Sequence, residues 1–476
     1  MGNYESSSNE RPAFRAFTTQ QGDADSAIKE LGTLANRQWY LYNNSGFGRG
    51  IVDTAVNTTV GTGLHIIPTI DANFLNISSK IASKWQSDVK RRFNTWAKSK
   101  DVDYYRLSDL TQLQYQALTT MLVDGDSLAV FARVNRTGVP YTMAIKLLEG
   151  VQLYNNPMNL ANNKTAGGVT FNKNGIEKYT FYKHHPRGIM SFNLETVDIK
   201  AYTGIRQNIA HLMDTRRAGQ RRGVGFLAPI VENLLQLKRM TEAELTSVIT
   251  SSMLVAFIKT TGGFEEDEED GSLDGRYDTN FNEYKLGNGT VVRLAEGEDM
   301  QMFDPRKKSD TFTPFMNAVL DEIAAGTQIP SEVLVKKFVS SYSASRGALL
   351  EMWKFMKRLR HVLVSSFLQP TYETWLLDEI LAGRIKADGF TTDYFARKAW
   401  CGSQWVGSSQ GLLNPVAEVT ASEKMVKNGF STRTEETIKL NGGDFSNNIS
   451  LLGEENASYK DAIEILQDKI QNGGLV

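Results

Sequence analysis

The stretch Ala324–Trp353, AAGTQIPSEVLVKKFVSSYSASRGALLEMW, constrains the chain more than any other, because it joins a helix end, a polar loop and a long basic helix without interruption. Pro330 opens the loop, since a proline lacks the N–H donor and clashes with the turn before it. The loop, residues 329–343, carries Lys336, Lys337, Ser340, Ser341 and Ser343. A helix is predicted over Ser343–Pro370, with the proline as its terminator. Arg346, Lys354, Lys357, Arg358 and Arg360 make it basic against Glu351 alone.

Upstream, apolar residues recur at helical spacing around Ser26–Tyr42, and a glycine-rich break follows at Gly46–Gly50. A helical arm is predicted over Ser78–Ser99, where Ile81, Trp85, Val89, Phe93 and Trp96 fall three or four residues apart, and Leu107–Leu122 repeats the pattern. From Leu128 to Ile209 the signal changes to alternation in LAVFARV, YTMAIKLL, GVTFN, KYTFYKH and TVDIKAY, separated by Gly, Asn and Pro turns. One antiparallel sheet is the economical expectation. Helices are predicted over Pro229–Ile258 and Ser309–Gly326, the latter capped by Ser309 or Asp310. Between them, Thr260–Asp304 loses the helical period and carries EEDEED at Glu265–Asp270, then a strand-like TVVRL at Thr290–Leu294. Asn414 and Pro415 start a helix that Gly429 ends, Thr432 and Glu435 form a capping box, and a last amphipathic helix is predicted over Glu454–Ile470. The fold class is therefore α+β.

At 476 residues the chain exceeds one hydrophobic core, so two to four folded regions are expected. The single cysteine, Cys401, excludes an intrachain disulfide and is expected to be a buried apolar residue. The polar, Ser-rich Met1–Arg15 lacks an apolar signal core and is expected to be a mobile tail. Leu245–Ile258 is too interrupted to span a membrane, and no membrane insertion is expected. With 53 Lys and Arg against 54 Asp and Glu, the chain is wrong for gripping nucleic acid by phosphate neutralisation. A surface along which DNA slides has the opposite need, few fixed cations and a neutral or acidic wall. Residues 226–330 hold 9 Lys and Arg against 19 Asp and Glu, so this region supplies such an acidic surface.

Catalytic signatures are missing. The five histidines form no HExxH pair, and neither GxSxG nor the phosphate-cradling Walker A loop is present, so hydrolase and ATPase readings lack support and no cofactor is expected. His184 and His185 read as a strand end. Asp270, Asp274 and Gly275 have part of a calcium-loop spacing, but Phe281 stands where the bidentate glutamate belongs. Asp124-Gly125-Asp126 reads as a turn, not a paired-carboxylate site. Glu265, Glu266, Asp267, Glu268, Glu269 and Asp270 read either as a solvated acidic loop or as an assembly surface at a channel mouth. Lys336 and Lys337 read either as an exposed loop or, arrayed around a ring, as a charged girdle facing DNA. Arg216, Arg217, Arg221 and Arg222, with Arg346, could touch phosphate or form intersubunit salt bridges.

Four pieces, Val123–Leu128 (VDGDSL), Gly219–Pro229 (GQRRGVGFLAP), the Ala324–Trp353 run and Trp405–Glu418 (WVGSSQGLLNPVAE), follow one another over about Arg37 to Asp444. In that succession the chain resembles the lambda-type portal proteins of tailed bacteriophages. The resemblance implies a flexible N-terminal tail (1–25), an α/β wing (26–225), a stem helix (226–259), a small β-containing clip (260–304) and a second stem helix (305–328). It then implies a tunnel loop (329–345), a wing helix (346–395) and a helical crown (396–476). It further implies a dodecameric ring at one capsid vertex that passes double-stranded DNA without sequence preference. That ring would contact the major capsid protein, the terminase large subunit during packaging and head–tail adaptor proteins afterwards, in the host cytoplasm during assembly and then in the virion. Hydrolysis of ATP would belong to the terminase, leaving this chain without enzymatic activity. The acid-rich Thr260–Gly289 departs most from the family pattern. The competing readings are another virion structural protein, such as a head–tail joining component, and a metal-dependent DNA enzyme, which would need a converging carboxylate cluster.

Overall fold

The aromatic residues of the predicted arm organise a core. A computed structural model describes residues 22–154, 164–186, 195–252, 256–260, 298–302, 312–411 and 414–471. In it Phe93 and Trp96, on helix α3 (Ser79–Lys98), are buried against Tyr372 and Trp375 of α9 (Gln369–Leu381), with Phe93 5.1 Å from Trp375 and 5.6 Å from Tyr372 between ring centroids. Trp405 closes the cluster edge-on at 6.0 Å from Phe93. It lies on β13 (Ser403–Val406), which pairs antiparallel with β1 (His65–Pro68), Ile66 opposite Trp405. Aromatic faces that interlock edge to face gain beyond their buried area, so this cluster ties the two halves of the chain together.

The chain divides into two compact units, residues 1–231 with 324–476, and residues 232–323. In the first, α1 (Leu31–Asn44), α2 (Gly46–Val60) and α4 (Leu110–Asp124) are amphipathic helices whose apolar faces are buried. The glycine-rich Gly46–Gly50 is no break. Ser45 caps α2 by accepting the Gly48 N–H at 3.2 Å, and Gly48 sits so close to the Leu41 carbonyl that a β-carbon would lie 2.7 Å from it. Glycine is there for close helix approach, and the helix pays for it in propensity.

The expected single sheet is instead split: beside the two-stranded ribbon of β8 (Tyr202–Thr203) with β9 (Arg206–Gln207), the strands form two larger sheets. Strands β2 (Asp126–Arg133), β3 (Met143–Glu149) and β10 (Ile209–Met213) form an antiparallel sheet in the order β10-β2-β3. Strands β4 (Thr165–Ala166), β5 (Val169–Asn172), β6 (Gly175–Tyr182) and β7 (Thr196–Lys200) form a second, a meander. Leu128 and Ile209 of the first cluster with Val169, Tyr179 and Phe181 of the second. Alternation specifies which face is buried but not which strands pair, and here both sheets bury one face in a shared core.

Downstream, α8 (Tyr342–Leu363) buries Met352, Phe355, Met356, Leu359 and Leu363 along one face. Pro370 does not terminate it. A π turn over Val364–Leu368 widens the helix, and Pro370 then occupies the first turn of α9, where a missing N–H is tolerated. The Thr371 hydroxyl donates to the Phe367 carbonyl at 2.7 Å. After α10 (Tyr394–Trp400), Cys401 is buried as expected, and burial pushes its thiol up to about 12. The C-terminal helices are α11 (Pro415–Lys427), capped by Asn414, α12 (Arg433–Asn441), with the Thr432–Glu435 capping box, and α13 (Phe445–Gln471), which starts well before Glu454. Gly429, at φ +76°, ends α11 as anticipated.

In the second unit, α5 (Val231–Ser252) is shorter than Pro229–Ile258. The chain passes into β11 (Ala256–Thr260), which pairs antiparallel with β12 (Glu298–Met302). Helix α6 (Phe312–Thr327) follows the ribbon in sequence. Ser309, Asp310, Thr290–Leu294, the calcium-like spacing around Asp270 and Met1–Arg15 lie outside the described residues.

Candidate functional site

The loop that follows α6 is anchored at its base and stapled across its neck. Ile329 is fully buried, Pro330 leads into the short helix α7 (Ser331–Leu334), and the chain then turns at Lys336, whose φ of +54° is unusual for a side-chain-bearing residue. Glu332 makes the staple. One carboxylate oxygen accepts the Ser340 N–H at 3.0 Å, and the other accepts the hydroxyls of Ser340 at 3.0 Å and Ser345 at 3.2 Å. The Ser340 hydroxyl is the main reason that the Glu332 carboxyl is held below the usual glutamate range. Ser341 caps α8 by accepting the Ala344 N–H, and its hydroxyl lies 3.2 Å from that of Ser343. The serines singled out in the sequence thus build the loop. Lys336 and Lys337 are exposed at its tip beside Phe338 and Val339, which are 58% and 75% exposed.

Arg216, Arg217, Arg221 and Arg222 separate into buried and exposed members. Arg222 is buried, and its guanidinium donates to Asp126 Oδ2 at 2.7 Å and to the carbonyls of Gly167 at 3.0 Å and Gly150 at 2.6 Å. Each of its three guanidinium nitrogens donates inside the subunit and the side chain is buried, so the expectation that it meets phosphate or a neighbouring subunit is corrected. Arg221 stacks 4.6 Å over the Phe171 ring, lies 3.4 Å from Asp25, and its backbone N–H donates to that carboxylate. Arg217 donates to the carbonyls of Asp23 at 2.7 Å and Gly22 at 3.1 Å. These two arginines hold down the last residues of the predicted tail. Arg216 and Arg217 are exposed, Arg216 lying 3.2 Å from Asp214, and Arg346 lies 3.8 Å from Glu418 on the face of α8. Glu265, Glu266, Asp267, Glu268, Glu269 and Asp270 lie outside the described residues.

Asp124-Gly125-Asp126 is a turn, as expected, but both carboxylates are buried. Asp126 accepts from Arg222, from the Gly223 N–H at 2.7 Å and at His211 Nε2, 2.8 Å away. Burial works to raise its pKa, yet Arg222 and His211 hold the carboxyl below the ordinary aspartate range. Asp124 has only the Val151 N–H, and burial, with Glu149 nearby, pushes it up to about 6. At Gly125, with φ +97°, a β-carbon would fall 2.6 Å from the Gly223 carbonyl. Reciprocally, the missing side chain of Gly223 makes room for the Gly125 carbonyl. VDGDSL and GQRRGVGFLAP are therefore two halves of one backbone crossing, sealed by the Asp126–Arg222 pair. Their glycine spacing was the signal for this network. His185 lies 3.1 Å from Glu149, and among the described residues no group of three or more His, Cys, Asp or Glu side chains could hold a metal. Nor is any described helix long and apolar enough to cross a membrane.

The family model described as phage portal protein, lambda family, matches residues 10–360. The chain belongs to the lambda family of phage portal proteins. Its relatives include the portal protein of Escherichia phage N15, 22% identical over 455 residues that cover 90% of this chain and 85% of that protein. Portal protein B of Escherichia phage lambda is 20% identical over the same shares. A chain from the neck of a native GTA particle computed with C12 symmetry is similar at a TM-score of 0.45 and 11% identity, covering 90% of this chain and 98% of that one. The portal function implied by the resemblance is that of the family, and the chain is a structural component of a virion, assembled as an oligomeric ring. In this portal protein the matched region runs through the glycine crossing, the stapled loop and most of α8.

Proposed function

We propose that the chain forms a dodecameric ring at one capsid vertex, with the stapled loop of each subunit turned to a central channel through which double-stranded DNA is packaged and ejected. The observation that carries this reading is the exposure of Lys336 and Lys337 at the tip of a loop fixed at both ends in a chain of the portal family. Residues 26–225 serve as the wing, 226–259 and 305–328 as the stem, 260–304 as the clip, 329–345 as the tunnel loop, 346–395 as the wing helix and 396–476 as the crown. The acid excess of residues 226–330 repels phosphate and keeps the duplex centred, while the lysines make weak contacts that salt screens. The chain performs no catalysis. It docks the terminase large subunit during packaging, then head–tail adaptor proteins, and sits against the major capsid protein, assembling in the host cytoplasm. Adjacent cations repeated around a ring act on any sequence, because only phosphates are contacted.

The test is Lys336→Ala/Lys337→Ala in a packaging assay. Rings should form normally, and retention of packaged DNA should fall by about ten-fold at low salt, with a shallower dependence on ionic strength than wild type. Unchanged retention and unchanged salt dependence would remove these lysines from the channel.

A further inference from the structure

One carboxylate oxygen of the glycine crossing is left over. Asp124 is only 3% exposed, and its Oδ2 accepts the Val151 N–H at 3.0 Å, but its buried Oδ1 has no hydrogen-bond partner among the described residues. A carboxylate has room for about four donors, and leaving a buried one short is costly. The neighbouring groups do not supply what is lacking. Arg222 is close, but its guanidinium is used on Asp126 and on the carbonyls of Gly167 and Gly150. His211 faces Asp126, and His185 faces Glu149. Asp124, Asp126 and Glu149 thus stand together against the one guanidinium of Arg222, and the uncompensated charge rests on Asp124.

Asp124 also lines a cavity of about 200 Å³. Apart from Arg222 and the glycines at 32 and 150, the other walls are apolar or aromatic: Leu31 and Ala35 of α1, Val151, Tyr182 of β6 and Pro186. Gly150 brings the carboxylate to the wall, because a β-carbon there would fall 2.8 Å from Asp124 Oδ2. The volume is below the roughly 300–1,000 Å³ of sites for drug-sized ligands, so it suits a short stem and not a ring system.

The unmet need selects the ligand. An unused acceptor oxygen calls for a donor, and an anion would find no free donor on Arg222. A divalent cation takes about six or more oxygen ligands, whereas no group of three or more His, Cys, Asp or Glu side chains among the described residues could hold a metal. An alkylammonium needs one carboxylate for its charge, while its methylenes lie against apolar walls and an aromatic neighbour favours the cation further.

We propose that this cavity binds a primary ammonium on a short aliphatic stem, carried by a free alkylamine or by a lysine side chain, with Asp124 as its counter-charge. The site lies within one compact unit and does not depend on the ring reading.

The test is calorimetric titration of the full chain at neutral pH and matched ionic strength, with n-butylammonium chloride as the probe. One saturable site per subunit is expected, with a Kd on the order of 1 mM for so few atoms. Ammonium chloride, which has the charge without the stem, and n-butanol, which has the stem without the charge, should each bind at least about ten-fold more weakly. Asp124→Asn should weaken butylammonium by at least about ten-fold. Gly32→Leu keeps Asp124 and adds a side chain at a wall position where a β-carbon meets nothing within 4 Å, so it should weaken binding without disturbing the core. Nα-acetyl-lysine methylamide separates the two sources: binding as tight as butylammonium or tighter assigns the ammonium to a lysine side chain, and binding at least about ten-fold weaker assigns it to a free amine. Failure of both amines to saturate, equal binding of n-butanol, or undiminished binding by Asp124→Asn would overturn the site.

Discussion

Asp124 and Asp126, two residues apart and both buried, are driven in opposite directions by what faces them. Asp126 is held ionised by Arg222, so its contribution to stability is present above the unfolded aspartate pKa and lost as pH falls through its lower folded value. Asp124 is the reverse. Its folded pKa of about 6 exceeds its unfolded value, so its contribution is fully present below about pH 4 and is lost as pH rises through about 6. At neutral pH the buried carboxylate is therefore a liability, because one oxygen has no hydrogen-bond partner. Asp124→Asn should be more stable than wild type at pH 8 by on the order of 1–3 kcal/mol, with the gain vanishing near pH 4. Urea unfolding at the two pH values measures it, and a variant less stable than wild type at pH 8 would contradict the assignment.

The loop between α7 and α8 depends on one carboxylate more than on its serines separately. Replacing Glu332 by alanine removes three accepted hydrogen bonds at once. Hydrogen exchange of the amides around Ser340 should then quicken by about ten-fold while the buried face of α8 is unaffected. Unchanged exchange would mean that Pro330 and the Ser341 cap hold the loop without the staple. Much at this level was legible in the sequence, because local chemistry decides it. The arm periodicity through Phe93 and Trp96, the Asn414–Pro415 start, the Gly429 stop and the Thr432–Glu435 box are each set by residues within a turn of one another. What was not legible depends on distant partners. Trp405 gave no local sign that its strand pairs with Ile66, and alternation could not reveal that β5 to β7 form their own sheet. Pro370 read as a stop because the π turn that accommodates it has no sequence signature. Arg222 read as surface because its partner, Asp126, is remote in sequence.

The molecule combines a basic loop and an acidic stretch in a chain that is nearly neutral overall, with 53 basic and 54 acidic residues. In a monomer neither would do much, since exposed charges are screened within a Debye length. Repetition around the axis of the proposed ring would change that, because each subunit would add the same charge at the same height and a channel wall would focus the field. The exposed Leu245, Val248 and Phe315 on the acidic unit's helices, at 60%, 56% and 44%, are apolar surface of the kind that assembly covers. Closed assembly is therefore what the portal function of this chain requires. Electron microscopy of the purified full chain, with class averages viewed down the symmetry axis, should show closed dodecameric rings around a channel wide enough for a DNA duplex. Closed rings too narrow for a duplex, or an open filament, would contradict it.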